Sequence, residues 1–157
     1  MDRVPMTPKG QQTLKDELAR LKAEMPKISH EIGVARDHGD IKENAEYHAA
    51  KEKQGLTAAR IADIEDKLAR AEVIDPSELG GEKVKFGASV VLEDLDSEKM
   101  VTYQIVGPDE ADIEKGTISV TSPVAKALIG REVGDEVKVK VPGGLRTYEL
   151  VEIRWES

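Results

Sequence analysis

The chain has no cysteine among its 157 residues. That excludes a disulfide framework, a thiolate metal knuckle and a thiol nucleophile, and it is compatible with a reducing compartment. Aromatic residues are also scarce, at 3%, whereas charged residues reach 34%. So few large rings, set among so much charge, suit an extended helical element with a thin apolar seam better than a thick globular core. No apolar run approaches the roughly 20 residues of a membrane span. The segment Met1-Asp2-Arg3-Val4-Pro5 lacks the basic and apolar regions of a signal peptide. The expectation is a cytoplasmic, membrane-free protein with one ordinary domain or two small ones.

Several catalytic signatures are missing as well. The chain has no glycine-rich phosphate loop of the common spacings and no nucleophile elbow. His30-Glu31-Ile32-Gly33-Val34 starts like a zinc-protease motif, but Val34 occupies the place of the second histidine. His30, His38 and His48 do not share one helix face at ligand spacing, and they read as polar surface residues. The net charge of −8 argues against a general nucleic-acid coat. That charge is uneven, however. Residues 1–75 carry 13 basic against 15 acidic side chains, and residues 76–157 carry 10 against 16. The first half can therefore still turn a basic face to a polyanion, which the second half should avoid.

What is present in that first half is a seam. Thr7-Pro8 has the form of an N-cap followed by proline at the first helical position. Apolar residues then recur at Leu14, Leu18, Leu21, Met25, Ile28, Ile32 and Ala35, in alternating steps of four and three. Pro26 breaks the hydrogen-bond ladder without breaking the register, which predicts a kink and not a stop. A second seam runs through Tyr47, Ala50, Gln54, Thr57, Ile61, Ile64, Leu68 and Ala71. The polar stretch His38-Gly39-Asp40 separates the two, so the pattern predicts an antiparallel helical hairpin with an acidic turn. Each arm of some 30 residues would be about 45 Å long. Small and polar residues replace leucine in the second seam towards the turn, predicting a slimmer and less stable far end.

The period changes after Val73-Ile74-Asp75. The expected organisation is a hairpin over 1–75, a turn-rich linker over 76–82 and a second domain over 83–157. β-Branched runs at 88–92, 101–106, 117–120, 137–141 and 148–153 predict a small antiparallel sheet. One short helix is expected over 122–129, with Ser122 as cap, Pro123 at the first position and Gly130 beyond the end. The fold class is therefore α+β, a helical hairpin followed by an antiparallel sheet with one short helix.

The densest chemistry lies between residues 35 and 47, where Asp37, Asp40, Glu43 and Glu46 are spaced by threes. Two readings fit the central pair. Asp40 and Glu43 form an Asp-x-x-Glu capping box that would start the second helix and suit its positive dipole end. The same two carboxylates would also make half a site for a hard divalent cation. Magnesium is often held by one or two carboxylates with substrate phosphates completing the shell, and such a tip becomes useful when delivered to a site already holding phosphates and another metal.

The string from Ala35 to Gln54, Ala-Arg-Asp-His-Gly-Asp-Ile-Lys-Glu-Asn-Ala-Glu-Tyr-His-Ala-Ala-Lys-Glu-Lys-Gln, resembles the hairpin tip of the GreA/GreB family of bacterial transcript-cleavage factors. Matching stretches run along most of the chain: Pro5-Met6-Thr7, 64–68, 73–75, Phe86-Gly87-Ala88, 105–112, 118–125 and 128–131. The resemblance implies a soluble partner of bacterial RNA polymerase whose hairpin enters the secondary channel. There Asp40 and Glu43 would help hold a magnesium ion shared with the polymerase and position the attacking water, and the polymerase would cut backtracked RNA near its 3′ end. The chain would have no turnover of its own, no tightly bound cofactor and, when functional, a monomeric state.

The resemblance also implies an FKBP-like second domain that docks on a coiled coil at the channel rim, with Ser119, Ser122 and Pro123 as docking candidates. Arg36, Lys42, Lys51 and Arg60 are candidates for contacting the RNA backbone. For each of these residues a plain structural role competes: helix-face ion pairs for the basic ones, and a helix cap for the serines and proline. Three other functions remain open. They are a prolyl isomerase, for which Phe86, Tyr103, Tyr148 and Trp155 offer a sparse aromatic set; a channel-binding inhibitor with a related hairpin; and a structural coiled-coil adaptor. The stretch Gly39-Asp40-Ile41-Lys42-Glu43-Asn44 favours the cleavage-stimulating type over the inhibitor.

Overall fold

The computed structural model describes residues 2–39 and 44–156. The chain forms two compact units, one of Gln12–Arg70 and one in which Met1–Gln11 join Ala71–Ser157.

The first unit is the helical hairpin. Helix α1 spans Pro8–Asp37 and helix α2 spans Ala45–Arg70. Thr7 caps α1, its Oγ1 accepting a hydrogen bond from the Gly10 N–H at 3.1 Å, and Pro8 takes the first helical position. The helix runs through Pro26, which is exposed, without a stop. The seams are buried by Leu14, Leu21, Ile28, Ile32 and Ala35 on α1 and, at alternate steps, by Ala50, Thr57 and Ile64 on α2. Links across the seam pair residues progressively further from the turn: Ala35 with Asn44, Glu31 with Lys53 and Lys22 with Glu65. The two helices are therefore antiparallel. Lys67 and Arg70 lie in the last turn of α2, where cations suit the negative dipole end.

The second unit begins with a feature that the apolar pattern did not announce. Strand β1, Val4–Met6, pairs in parallel with strand β2, Ala71–Val73. These two strands abut the start of α1 and the end of α2. Next, Asp75 accepts hydrogen bonds from the Ser77 N–H at 2.9 Å and hydroxyl at 2.7 Å, fixing a short 3-10 turn at Pro76–Glu78. Pro76 is fully buried, and a Cβ at Gly87 would lie 2.8 Å from its ring.

A five-stranded sheet follows, formed by β3 (Ser89–Asp94), β4 (Met100–Val106), β5 (Thr117–Ser119), β6 (Glu136–Val141) and β7 (Gly144–Arg154). Its spatial order is β5-β4-β3-β7-β6. All five expected strands form, but the sheet is mixed and not wholly antiparallel, because β5 pairs in parallel with β4. The physical reason is the connection over residues 107–116, which contains a 3-10 turn at Ile113–Lys115 and carries the chain back to Gln104, so that β5 runs beside the last three residues of β4 in the same direction. Helix α3, Pro123–Leu128, has the expected cap, the Ser122 hydroxyl accepting from the Ala125 N–H at 3.2 Å.

The helix and one face of the sheet enclose a core that includes Val90, Leu92, Ile105, Leu128 and Leu150. On the opposite face Glu93, Glu149 and Glu136 stand directly across from one another on β3, β7 and β6.

Asp94 closes the turn between β3 and β4. It is 8% exposed, and it accepts hydrogen bonds from the N–H groups of Asp96 (2.9 Å) and Ser97 (3.3 Å) and from Arg146 (3.0 Å). Burial pushes its carboxyl up, but those backbone donors and the guanidinium outweigh it and hold the group below the ordinary value. The folded protein thus binds this proton less readily than the unfolded chain does. The stabilisation is complete above about pH 4 and disappears as pH falls through the depressed value. Asp94→Asn is expected to flatten the decline of stability in acid, measured as urea midpoints over a pH series. A variant whose acid decline matched that of the parent would exclude this role.

Candidate functional site

The site is built at the closed end of the hairpin. Helix α1 ends at Asp37 and is followed by His38 and Gly39. Gly39 has φ +151°, a backbone conformation that side chains rarely permit. On the other side Asn44 makes two connections. Its Oδ1 accepts from the Tyr47 N–H at 3.0 Å, and its Nδ2 donates to the carbonyl oxygen of Ala35. The first bond caps α2 and the second satisfies a carbonyl in the last turn of α1. One side chain therefore staples the two helices together beside the turn.

This observation corrects the capping-box reading. A box built on Asp40 and Glu43 would start the helix at residue 41, whereas α2 starts at Ala45 and its cap position belongs to Asn44. Asp40 and Glu43, like Lys42, lie outside the described residues. Asn44 was legible in principle, since asparagine is among the preferred caps and stands directly before the helix.

The other candidates fall in separate places. Arg36 is exposed in the last turn of α1, beside the turn. Lys51 is exposed on α2, with Nζ 3.4 Å from Gln54 Oε1. Arg60 is committed to a structural pair. Its Nε and Nη2 donate to the two carboxylate oxygens of Glu17 at 2.9 and 2.8 Å, and its Nη1 donates to Asp63 at 2.8 Å. Hydrogen bonding from Arg60 lowers the Glu17 carboxyl, and the same bond raises the guanidinium. Arg60 thus locks the register of the two helices across the seam.

Ser119, Ser122 and Pro123 share the junction between β5 and α3. The Ser119 hydroxyl lies 2.7 Å from that of Thr121 and accepts from the Thr121 N–H at 3.1 Å. Ser122 is occupied as the cap, and Pro123 is exposed. Near the turn, His38 Nδ1 lies 3.7 Å from Glu46, and the rings of Tyr47 and His48 meet edge to face at 5.6 Å. Among the described residues no group of three or more acidic, histidine or cysteine side chains gathers as a metal site, and no helix is long and apolar enough to cross a membrane.

Residues 4–73 match the family described as "Transcription elongation factor, N-terminal", and residues 79–154 match "Transcription elongation factor, GreA/GreB, C-term". The chain belongs to the GreA/GreB family of transcription elongation factors. It is 56% identical to the transcription elongation factor GreA of Phenylobacterium zucineum over 156 residues, 99% of each chain. It is likewise 56% identical to GreA of Hyphomonas neptunium over 154 residues, 98% of each chain. The solved GreA factor homolog 1 of Thermus thermophilus is 31% identical, with 97% of this chain and 99% of that one covered and a TM-score of 0.44. Factors of the GreA/GreB family stimulate transcript cleavage by RNA polymerase and are not themselves the nuclease.

Within this member of the family, the assignment of the cap can be checked directly. Asn44→Ala is expected to destabilise the hairpin by about 1 kcal/mol and to speed hydrogen exchange at the Tyr47 amide. Asp40→Ala should leave that amide unchanged. If Asp40→Ala accelerated it instead, the cap would have been assigned to the wrong residue.

Proposed function

We propose that this factor acts through its hairpin tip, presenting Asp40 and Glu43 to the active centre of RNA polymerase through the secondary channel and so promoting cleavage of backtracked RNA near its 3′ end. The observation that carries this reading is the Asn44 staple. It closes the hairpin immediately beside Asp40–Glu43 and fills the cap position of α2. The cap position of α2 is thereby held by a neutral side chain next to the two acids in sequence.

Two carboxylates suit magnesium, which keeps several waters and takes one or two protein carboxylates together with phosphate oxygens. Asp40 and Glu43 would hold the ion jointly with the polymerase. Bound there, magnesium supplies a Lewis acid and makes water a stronger nucleophile. The part played by this chain is to bring the two acids to that position and to orient the water by hydrogen bonding. Arg36, Lys42 and Lys51 serve as cations for the RNA backbone, and Arg60 contributes through the hairpin register set by Glu17. Ser119, Ser122 and Pro123 form the docking edge against the coiled coil at the channel rim. The active form is a monomer.

Stalled, backtracked elongation complexes with magnesium test this reading. The parent protein should release short 3′ RNA fragments. Asp40→Ala and Glu43→Ala should each lower that release on the order of 10² to 10³-fold, the scale seen when a group stabilising the transition state is removed, while polymerase binding persists. Full stimulation by both variants would refute the role of the tip acids. Loss of binding along with cleavage would reassign them to folding.

A further inference from the structure

We propose that the open edge of β6 is a docking strand for an extended acidic segment of a partner protein, which would extend the sheet as a further antiparallel strand. The order β5-β4-β3-β7-β6 leaves two edges. At one of them β5 has only three residues, which gives another strand little to pair with. At the other, β6 runs for six residues, Glu136–Val141, in unbroken register with β7 and without proline. An edge of that kind is a template for pairing unless its side chains guard it.

The ladder fixes which backbone groups are open. In an antiparallel pair, residues that exchange both hydrogen bonds alternate with residues that exchange none. Just before β6, the Leu150 N–H donates to the Asp135 carbonyl at 2.9 Å. On the other side of β7, the Leu95 N–H donates to the Thr147 carbonyl, also at 2.9 Å. Tyr148 and Arg146 therefore turn their backbone groups towards β6, where Val137 and Val139 stand opposite them. Glu136, Lys138 and Lys140 are left with N–H and C=O groups on the open side. Among the described residues no strand or loop backbone bonds to them there.

The side chains then choose the occupant. Val137 and Val139 are 3% and 2% exposed and fasten the strand to the core. Lys138 and Lys140 stand exposed on the opposite face. On an added antiparallel strand, the residues directly opposite them share that face, with Cβ atoms about 5 Å away. Carboxylates at those two positions would each meet a lysine. Full overlap with a second copy of β6 would instead set Lys138 against its own counterpart, and like charges directly opposite one another repel. The two lysines thus admit an acidic strand while they oppose self-pairing. Glu136 asks for an uncharged residue at the end of that strand.

The test uses the full, isotope-labelled chain and the blocked peptide Val-Glu-Val-Glu-Val-Thr. Saturating peptide should slow hydrogen exchange at the Lys138 and Lys140 amides by about tenfold. The Val137 and Val139 amides, already bonded to β7, should change little. N-methylation of both glutamates, whose N–H groups would face β6, should abolish binding. Methylation of the valines, whose N–H groups would face away, should leave affinity within about threefold of the parent peptide. Lys138→Glu combined with Lys140→Glu should weaken binding by about tenfold and favour a peptide with lysine in place of glutamate. Binding that survives methylation of the glutamates overturns the proposal, as does protection that does not alternate along β6. Absence of binding at millimolar peptide overturns it too. Dimers of the free protein in sedimentation equilibrium, with the same two amides protected, would assign the edge to a second copy and overturn the acidic partner.

Discussion

A hairpin of two helices buries one narrow stripe per helix, so its geometry depends on how its ends are tied. Here the α2 seam nearer the turn carries Tyr47 and Ala50, which pack with Met25, Ile28 and Ile32 of α1. The ties are polar and local. At the open end, β1 and β2 form a parallel ladder across the residues that flank the two helices. In the middle, the two-pronged bond from Arg60 to Glu17 sets the register. Beside the turn, Asn44 joins the α1 carbonyl of Ala35 to the first turn of α2. Each tie supplies direction, which a stripe of small apolar groups cannot.

This division of labour explains how a charged turn is retained at the end of a slim arm. Asn44 is neutral, both donates and accepts, and meets both helix ends at once. In the sheet unit it is a carboxylate that serves a turn, Asp94 accepting from the Asp96 and Ser97 N–H groups and from Arg146.

Most of the architecture was legible because it rests on local periodicity. The seam from Leu14 to Ala35, the five β-branched runs and the Ser122-Pro123 cap are all set within a few residues, and each appears in the structure. Contacts between distant segments were not legible. Val4–Met6 is too short to show a period, and its partner lies beyond both helices. The pairing of β5 with β4 depends on the path of a long connection and not on the composition of either strand. Arg60 read as an exposed cation because its partner Glu17 is on the other helix. Glu110 gave no signal at all, since it serves Thr7, a residue 103 positions away. The identity of the tip acids came from a long motif, while the residue that caps the helix beside them was hidden in that same motif.

The row of Glu93, Glu149 and Glu136 across three neighbouring strands places like charges directly opposite one another. Such a row repels itself. The hairpin carries the opposite arrangement, with its cross-helix links joining unlike charges at Glu17–Arg60, Lys22–Glu65 and Glu31–Lys53. Mobile ions screen both kinds of interaction over a Debye length of about 8 Å at physiological ionic strength. Added salt therefore relieves this row while it weakens the cross-helix pairs. Two charge patterns in one short chain thus respond to ionic strength with opposite signs.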